Sequence, residues 1–298
     1  MKKMIKKSKG RKLFEVINVL ILTLISFIML YPFYYCIIAS LSDNASVLAG
    51  RLTFWPIGIN LKSYKLVLGY EVVFTAYGNT LIYTGLGTLI SLTLTVLGAY
   101  PLSRKDFYGR EIITVFFAFT MFFSGGLIPT FLVVRNLGMY DTMWAIVLPS
   151  AINTMNMIIM RTFFQGIPDA LEEAAVVDGA NELTILTRII LPLSLPSIMT
   201  IGLFYAVGQW NSWFSAMIYL IDSDKYPLQL VLRQIVLQNQ VNEIIGTMAG
   251  AATEDSTQMI AENVKYTVII VAVVPILLVY PFVQKYFVKG VMVGSIKG

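Results

Sequence analysis

The chain has 298 residues, 57% hydrophobic and only 13% charged, whereas a soluble domain carries roughly 25% charged residues, so the composition is that of a membrane protein. It contains no histidine, which excludes histidine metal sites, Ser-His and Cys-His nucleophile pairs and histidine proton relays, and its one cysteine, Cys36, cannot form an internal disulfide. The net charge of +5 gathers at the start of the chain, where it bears on membrane topology and not on nucleic acid.

Lys2, Lys3, Lys6, Lys7, Lys9, Arg11 and Lys12 precede an apolar run from Val16 to Ala39. A cleaved signal peptide would have an apolar region of only about 7–15 residues. This run reaches the roughly 20 residues that cross a bilayer, which predicts a retained first span with a cytoplasmic start. Residues 42–73, with Arg51, Trp55-Pro56 and Leu61-Lys62-Ser63-Tyr64-Lys65, are too broken to span and predict an outer segment with a short interfacial helix. A second span is expected from Tyr77 to Pro101, with Ser103-Arg104-Lys105-Asp106 on the inner face. The third, Ile112 to Val134, contains Gly125-Gly126 and Pro129, which should loosen or kink it, and Arg135 to Asp141 makes an outer turn.

The fourth span, Thr142 to Phe164, contains Pro149 and leads into a polar stretch, Ile167 to Pro196, built as two short helices. Pro168 suits a first helical turn, and Asp169, Glu172 and Glu173 place negative charge where the helix dipole favours it. Leu171, Ala174 and Ala175 make a narrow face of small residues, and Gly179 can end the helix in a left-handed conformation. Asn181 can cap the second helix, whose Leu183, Leu186 and Ile190 recur at helical spacing before Pro192 and Pro196. Such an alanine-faced helix suits either an ordinary connector or docking into a groove on another protein. A fifth span follows from Leu195 to Ile221, then an outer segment, Asp222 to Asn263. A sixth span, Tyr266 to Phe287, contains Pro275 and Pro281 and leads to the tail Lys289–Gly298. The expected fold is an all-α, polytopic membrane protein with six transmembrane helices. Its organisation is a start, first helix and outer segment over 1–75, a five-helix core over 76–288 including the loop 165–195, and a tail over 289–298.

Fifteen of the 22 lysines and arginines fall on the inner segments: seven at the start, three at Arg104, Lys105 and Arg110, two at Arg161 and Arg188, and three at Lys285, Lys289 and Lys297. The positive-inside rule then places both termini and the polar stretch in the cytoplasm.

A chain that hydrolysed ATP itself would need a glycine-rich phosphate loop ending in Lys and Ser or Thr. None occurs, so energy is expected from another subunit or from an ion gradient. Ion-coupled carriers need ionisable groups within the membrane, but Glu15, Asp106, Glu111, Asp141 and Asp222 all sit at span ends. An ion-coupled carrier is thus the weaker alternative. A membrane-embedded transferase would have only Asp222-Ser223-Asp224 as a carboxylate pair, without supporting partners, and a solvated turn accounts for it better.

Gln209, Trp210, Asn211, Ser212 and Trp213 bring two indoles and three hydrogen-bonding groups together in the fifth span. Sugars are apolar on one ring face and hydroxylated at the edge, so aromatic platforms with amide neighbours suit them. The same residues also serve as interfacial anchors and helix ties in other membrane proteins. Asn153 and Asn156 in the fourth span are further candidates.

The pattern Glu173-Ala174-Ala175, three residues, Gly179, nine residues, Ile189, one residue, Leu191-Pro192 resembles the cytoplasmic coupling motif of ABC importer permeases at every fixed position. Trp55-Pro56 with Asn60 and Tyr64, the run Leu137–Pro149 and the ending Gln284–Gly298 are similar to the maltose-type carbohydrate permeases, and most resemble the lipoprotein-fed oligosaccharide importers of Gram-positive bacteria. The resemblance implies the type I ABC importer permease fold and a transport subunit that is not an enzyme, in the plasma membrane. It implies a complex with a second, homologous permease, two ABC ATPase subunits that hold the ATP and Mg, and an extracellular sugar-binding lipoprotein, among membrane lipids and without nucleic acid. No cofactor is expected in this chain. Carried onto this sequence, ATPase coupling falls to Leu171, Glu173, Ala174, Ala175, Asp178, Gly179, Ala180, Ile189, Leu191 and Pro192. Another small solute, an amino acid or peptide, is the alternative cargo.

Overall fold

The computed structural model describes residues 9–237, 263–278 and 281. The lysines before Lys9, residues 238–262 of the expected outer segment, most of the sixth span beyond 278 and the tail lie outside the described residues. Two compact units emerge, one drawn from Met1–Gly69 and Ile235–Val271, the other from Tyr70–Gln234 and Ala272–Gly298.

In the first unit α1, Lys9–Leu41, is charged in its first turns, largely apolar from Val16 onward, and buries only Ile38, Ala39 and Ser40. The expected outer segment begins with α2, Asn44–Leu48, whose cap is the Asp43 carboxylate accepting from the Ser46 N–H at 2.7 Å and the Ser46 hydroxyl at 2.9 Å. It continues to α3, Lys62–Gly69. Asn263, the first residue of the last described helix (Asn263–Leu278), donates its amide to the Ser42 carbonyl at 2.6 Å.

The second unit is organised around α4, Glu71–Ser103. Lipid tails are as apolar as leucine, so helices in a bilayer associate through close backbone approach and polar ties, not through hydrophobic burial. The buried positions of α4 fit that requirement: Ala76, Thr80, Gly87, Ser91, Thr95 and Ala99 form a stripe of small side chains. Against it lie α8, Thr154–Phe164, burying Met157, Met160 and Phe164, and α12, Leu195–Trp210, burying Ser197, Ile201, Tyr205 and Gln209 four residues apart. Contact is close enough that a Cβ placed on Gly87 would stand 2.8 Å from Gln209 Cδ.

Three expected spans are broken, each for a local reason. The third becomes α5, Arg110–Phe122, and α6, Leu127–Asn136, meeting at 113°. Gly126, between them, has φ +83°, where a side chain would be strained. The fourth is divided into α7, Trp144–Val147, and α8. Pro149, in the interval, has no N–H to continue the ladder, and Asn153 restarts the helix by accepting from the Asn156 N–H at 3.0 Å. The fifth stops at Trp210 and resumes as α13, Trp213–Tyr219. There the Asn211 amide and Ser212 hydroxyl bond back to the carbonyls of Val207 (2.8 Å) and Gln209 (2.6 Å), which competes with helix continuation.

Among the described residues, α1 and α4 are single helices long and apolar enough to cross a membrane. The bent pairs α5–α6 and Glu182–Leu193 with α12 meet that test only as pairs.

Replacing Gly87 by valine should destabilise the α4–α12 contact by about 1–3 kcal/mol, the usual range for overpacking. A lowered thermal midpoint of the detergent-solubilised protein would register it, and an unchanged midpoint would mean that Gln209 yields freely.

Candidate functional site

The polar stretch folds as a hairpin. Its first arm, α9, is Asp169–Val177, with Asp169 and Glu172 in the first turn. Pro168 stands just before that turn, at the cap position, and not inside it. Gly179 has φ +80°, and the bonds Gly179 N–H to Val176 O (3.0 Å) and Ala180 N–H to Ala175 O (2.9 Å) close a Schellman motif. Asn181 caps the second arm by accepting from the Thr184 N–H at 2.8 Å. That arm runs through α10, Glu182–Ile185, a π turn, Leu186–Ile190, and α11, Leu191–Leu193, then bends by 81° into α12.

The extra residue of the π turn alters the expected face. Ile185, Leu186 and Ile190 are buried, and Leu183, expected beside them, is 66% exposed. The expected alanine face also divides. Ala175 joins Tyr100, Phe164, Ile185 and Ile190 in one core, with Ala180, Ile189 and Leu191 packed on its edge. Leu171, Glu173, Ala174, Asp178, Gly179 and Pro192 remain exposed, as do Val176 and Val177. Four of the ten motif residues thus fix the hairpin and six face outward.

A set of polar ties joins the hairpin to the Ser103 end of α4. Arg104 contacts Glu172, both side chains being less than one-fifth exposed. The Arg104 guanidinium lies over the Tyr100 ring at 4.4 Å, and the Tyr100 hydroxyl donates to Glu182 at 2.7 Å. Lys105 bonds Asp169 at 2.6 Å, which raises the lysine pKa and lowers that of the aspartate. That pair is well exposed and contributes little to stability. Arg161 of α8 donates from Nε to the Leu102 carbonyl at 2.9 Å. Tyr100, Arg104, Lys105, Asp169, Glu172 and Glu182 line a cleft of about 980 Å³.

The Arg104–Glu172 tie was not read from sequence, because its members are 68 positions apart and Glu172 was already accounted for by the helix dipole. The available signal was the basic pair Arg104-Lys105 closing one span and the acids opening the hairpin.

The candidate path residues do not form one patch. Gln209 and Trp210 are buried (6% and 8% exposed). Gln209 Nε2 donates to Ser150 Oγ at 3.3 Å, while Gln209 Oε1 and Trp210 Nε1 are buried without a hydrogen-bond partner. Beside them on α4 the buried hydroxyls of Thr84, Thr88 and Ser91 are likewise unpartnered. Asn211 is exposed and turned back on its own helix, and Trp213 is half-buried, edge-on to Phe214 at 5.4 Å. Asn153 is exposed and its N–H donates to the Tyr205 hydroxyl, itself bonded to Thr95 at 2.7 Å, while Asn156 is buried.

At the Glu71 end of α4 a second polar cluster closes the unit. Asp141, at φ +57°, accepts from Lys225 Nζ (2.8 Å) and from the N–H groups of Ile221 (2.9 Å) and Asp222 (3.1 Å). The lysine first and then these two amides hold its carboxyl down to about 2. Asn79 and Tyr83 of α4 donate to the carbonyls of Asp224 (2.6 Å) and Lys225 (2.8 Å). Asp222 caps the 3₁₀ turn Ser223–Lys225 by accepting from the Asp224 N–H, so Asp222-Ser223-Asp224 is a turn, as the sequence suggested.

The family described as "Binding-protein-dependent transport system inner membrane component" matches residues 2–293. The chain belongs to this family. It is 42% identical over 287 residues to the polygalacturonan/rhamnogalacturonan transport system permease protein YtcP of Bacillus subtilis strain 168, covering 96% of this chain and 99% of the relative. It is 41% identical to protein LplC of the same strain, over 98% and 97% of the two chains. The fold is similar to a chain in the crystal structure of a bacterial ABC transporter involved in the import of the acidic polysaccharide alginate. The TM-score is 0.84 at 35% identity, over 95% of this chain and 100% of that one. The protein is therefore an ABC permease of the type I fold, a multi-pass transport subunit of the plasma membrane and not an enzyme. As a permease of a binding-protein-dependent system it works with ATPase and binding-protein partners.

Glu172→Gln and Arg104→Gln should each lower the stability of the permease by about 1–3 kcal/mol, and the double substitution should cost less than their sum. Thermal midpoints of the four proteins in detergent measure this. Strict additivity would show that the two side chains do not act as a pair.

Proposed function

We propose that this permease is one half of the membrane channel of an importer for oligosaccharides delivered by an external binding protein, and that the α9–α10 hairpin receives the stroke of the ATPase. A second, homologous permease completes the channel, and two ATPase subunits hold ATP and Mg. Both termini and the hairpin face the cytoplasm. The oligosaccharide cargo is supported by the polysaccharide and oligosaccharide transport named for several of its relatives.

The coupling role is carried by one observation: the hairpin exposes Leu171, Ala174, Val176 and Val177 while Ala175 and Glu172 fasten its other side. An apolar surface on a rigid, charged mount suits a protein groove, since docking needs complementary shape without reordering of the knob. A push on α9 reaches α4 through the Arg104–Glu172 contact and reaches α12 through the continuous second arm. Glu173, Ala174, Asp178 and Gly179 lie on the docking side. Ala175, Ala180, Ile189 and Leu191 seat the hairpin, and Pro192 marks its exit. Gln209, Trp210, Asn211, Trp213, Asn153 and Asn156 are assigned to the sugar path, where the unpartnered groups of Gln209 and Trp210 supply an acceptor and a donor for hydroxyls.

Gly179→Arg forces a bulky residue into φ +80° at the hairpin tip and should abolish uptake and the stimulation of ATP hydrolysis by loaded binding protein, with the complex still assembled. Wild-type coupling in this variant would remove the docking role. In a background with Cys36 replaced by serine, Val177→Cys, at a position 86% exposed, should resist membrane-impermeant thiol reagents in intact cells and react in inverted vesicles made from cells that lack the ATPase subunits. Labelling from outside would reverse the topology.

A further inference from the structure

Residues 49–61, between α2 and α3, form a loop laid back along the end of α1. Backbone bonds hold one part of it, from the Asn60 N–H to the Leu41 carbonyl and from the Asp43 N–H to the Ile57 carbonyl, both at 2.8 Å. Two tyrosines of α1 hold the tip. The Tyr34 hydroxyl donates to the Phe54 carbonyl at 2.6 Å, and the Tyr31 ring meets that of Phe54 edge-on at 6.1 Å. Gly58, at φ +63°, lets the chain pass over Asp43, since a Cβ there would stand 2.5 Å from a carboxylate oxygen. Leu52 is buried with Ile38, Ala39 and Val47. The backbone is thus fastened at several points, yet Phe54, Trp55, Ile57 and Ile59 are exposed, Trp55 at 77% and Ile59 at 76%.

The depth of this loop follows from α1. Glu15 is the last charged residue before Asp43. About 20 residues of helix cross the hydrocarbon, and counted from Val16 they end at Tyr35. Side chains on a helix lean toward its N-terminus, so the Tyr31 and Tyr34 hydroxyls reach no farther out than their own turns. Phe54 and Trp55 therefore sit where hydrocarbon gives way to headgroups, the layer that Tyr and Trp favour because each ring joins an apolar body to a polar tip. From Asn44 to Tyr70 the chain carries three basic residues, Arg51, Lys62 and Lys65, and no acid. All three flank the apolar tip in sequence and are exposed, and among the described residues none forms a salt bridge.

We infer that this loop is a wedge in the bilayer surface, at the end of α1 remote from its basic start. Phe54, Trp55, Ile57 and Ile59 enter the boundary between acyl chains and headgroups, and Arg51, Lys62 and Lys65 take the phosphates of anionic lipids. The lipid surface offers both partners at the depth set by the tyrosines, hydrocarbon on one side and phosphate on the other. Protein buries only Ile38, Ala39 and Ser40 of α1, so the wedge is a second hold that fixes how deeply this helix sits. It stands apart from the transport role and holds whichever side of the membrane that end of α1 faces.

The test uses the assembled importer in vesicles of mixed phosphatidylglycerol and phosphatidylcholine, with Cys36 replaced by serine and a nitroxide attached to Trp55→Cys or Ile59→Cys. Both labels should be relaxed more by oxygen, which concentrates in the bilayer, than by a water-soluble nickel chelate. Greater access to the chelate at either position puts the loop in water and overturns the wedge. Shielding from both reagents, or shielding that arises only when the binding protein is added, overturns it in favour of a protein contact. Should Trp55→Cys fail to accumulate, the label on Ile59→Cys decides alone. Arg51→Gln combined with Lys62→Gln should raise chelate access at that label about threefold or more in the mixed vesicles and change it little in pure phosphatidylcholine. An equal effect in both lipids, or none in either, overturns the phosphate contact. If the neutralised variant does not accumulate, transfer of the labelled parent from mixed vesicles to pure phosphatidylcholine should raise chelate access, and unchanged access overturns that contact.

Discussion

Close approach to α4 is the constraint from which the larger unit follows. In a bilayer there is no water to drive helices together, so their spacing depends on what the side chains at the seam permit. The small-residue stripe of α4 permits contact at Gly87 so near that the Gln209 side chain fills the space of an absent methyl. Because that seam is tight, α8 and α12 are located by shape, and the polar groups along it, Thr95 with Tyr205 and Ser150 with Gln209, act as registration marks.

The two ends of α4 are finished in different ways. At the Glu71 end its side chains bond mostly to backbone groups of the 224–228 turn, and the charged cluster around Asp141 joins loop and turn residues. At the Ser103 end the ties include two ion pairs, one of them, Arg104 with Glu172, largely buried. A pair of that kind contributes modestly to net stability but is costly to break from one side, because the remaining charge is then stranded. Such a contact holds α9 to α4, since separating them strands a charge on each side. Glu182 on the second arm, held by Tyr100, extends the same attachment to both arms.

Much of this architecture was legible in the chain. Composition announced a membrane protein, and the Lys9–Leu41 and Glu71–Ser103 helices contain the expected apolar runs Val16–Ala39 and Tyr77–Pro101, each beginning two turns earlier than the run. Gly179 and Asn181 behave as their chemistry demands, one at positive φ and the other as a cap. What hydropathy could not disclose was continuity. A run such as Ile112–Val134 has the same mean polarity whether straight or folded at Gly126, and the stop at Trp210 depends on which carbonyls the Asn211 and Ser212 side chains choose. The Arg104–Glu172 tie was also hidden, since it joins residues far apart in sequence.

The five-residue turn Leu186–Ile190 carries one residue more than an α-helical path would use. Each added or removed residue rotates everything beyond it by about 100° around the helix axis. Length is therefore what this segment must keep. The exposed Thr187 and Arg188 can be exchanged with modest effect, but a single-codon deletion would swing the rest of the second arm, up to its junction with α12, into a different azimuth while leaving the composition almost unchanged.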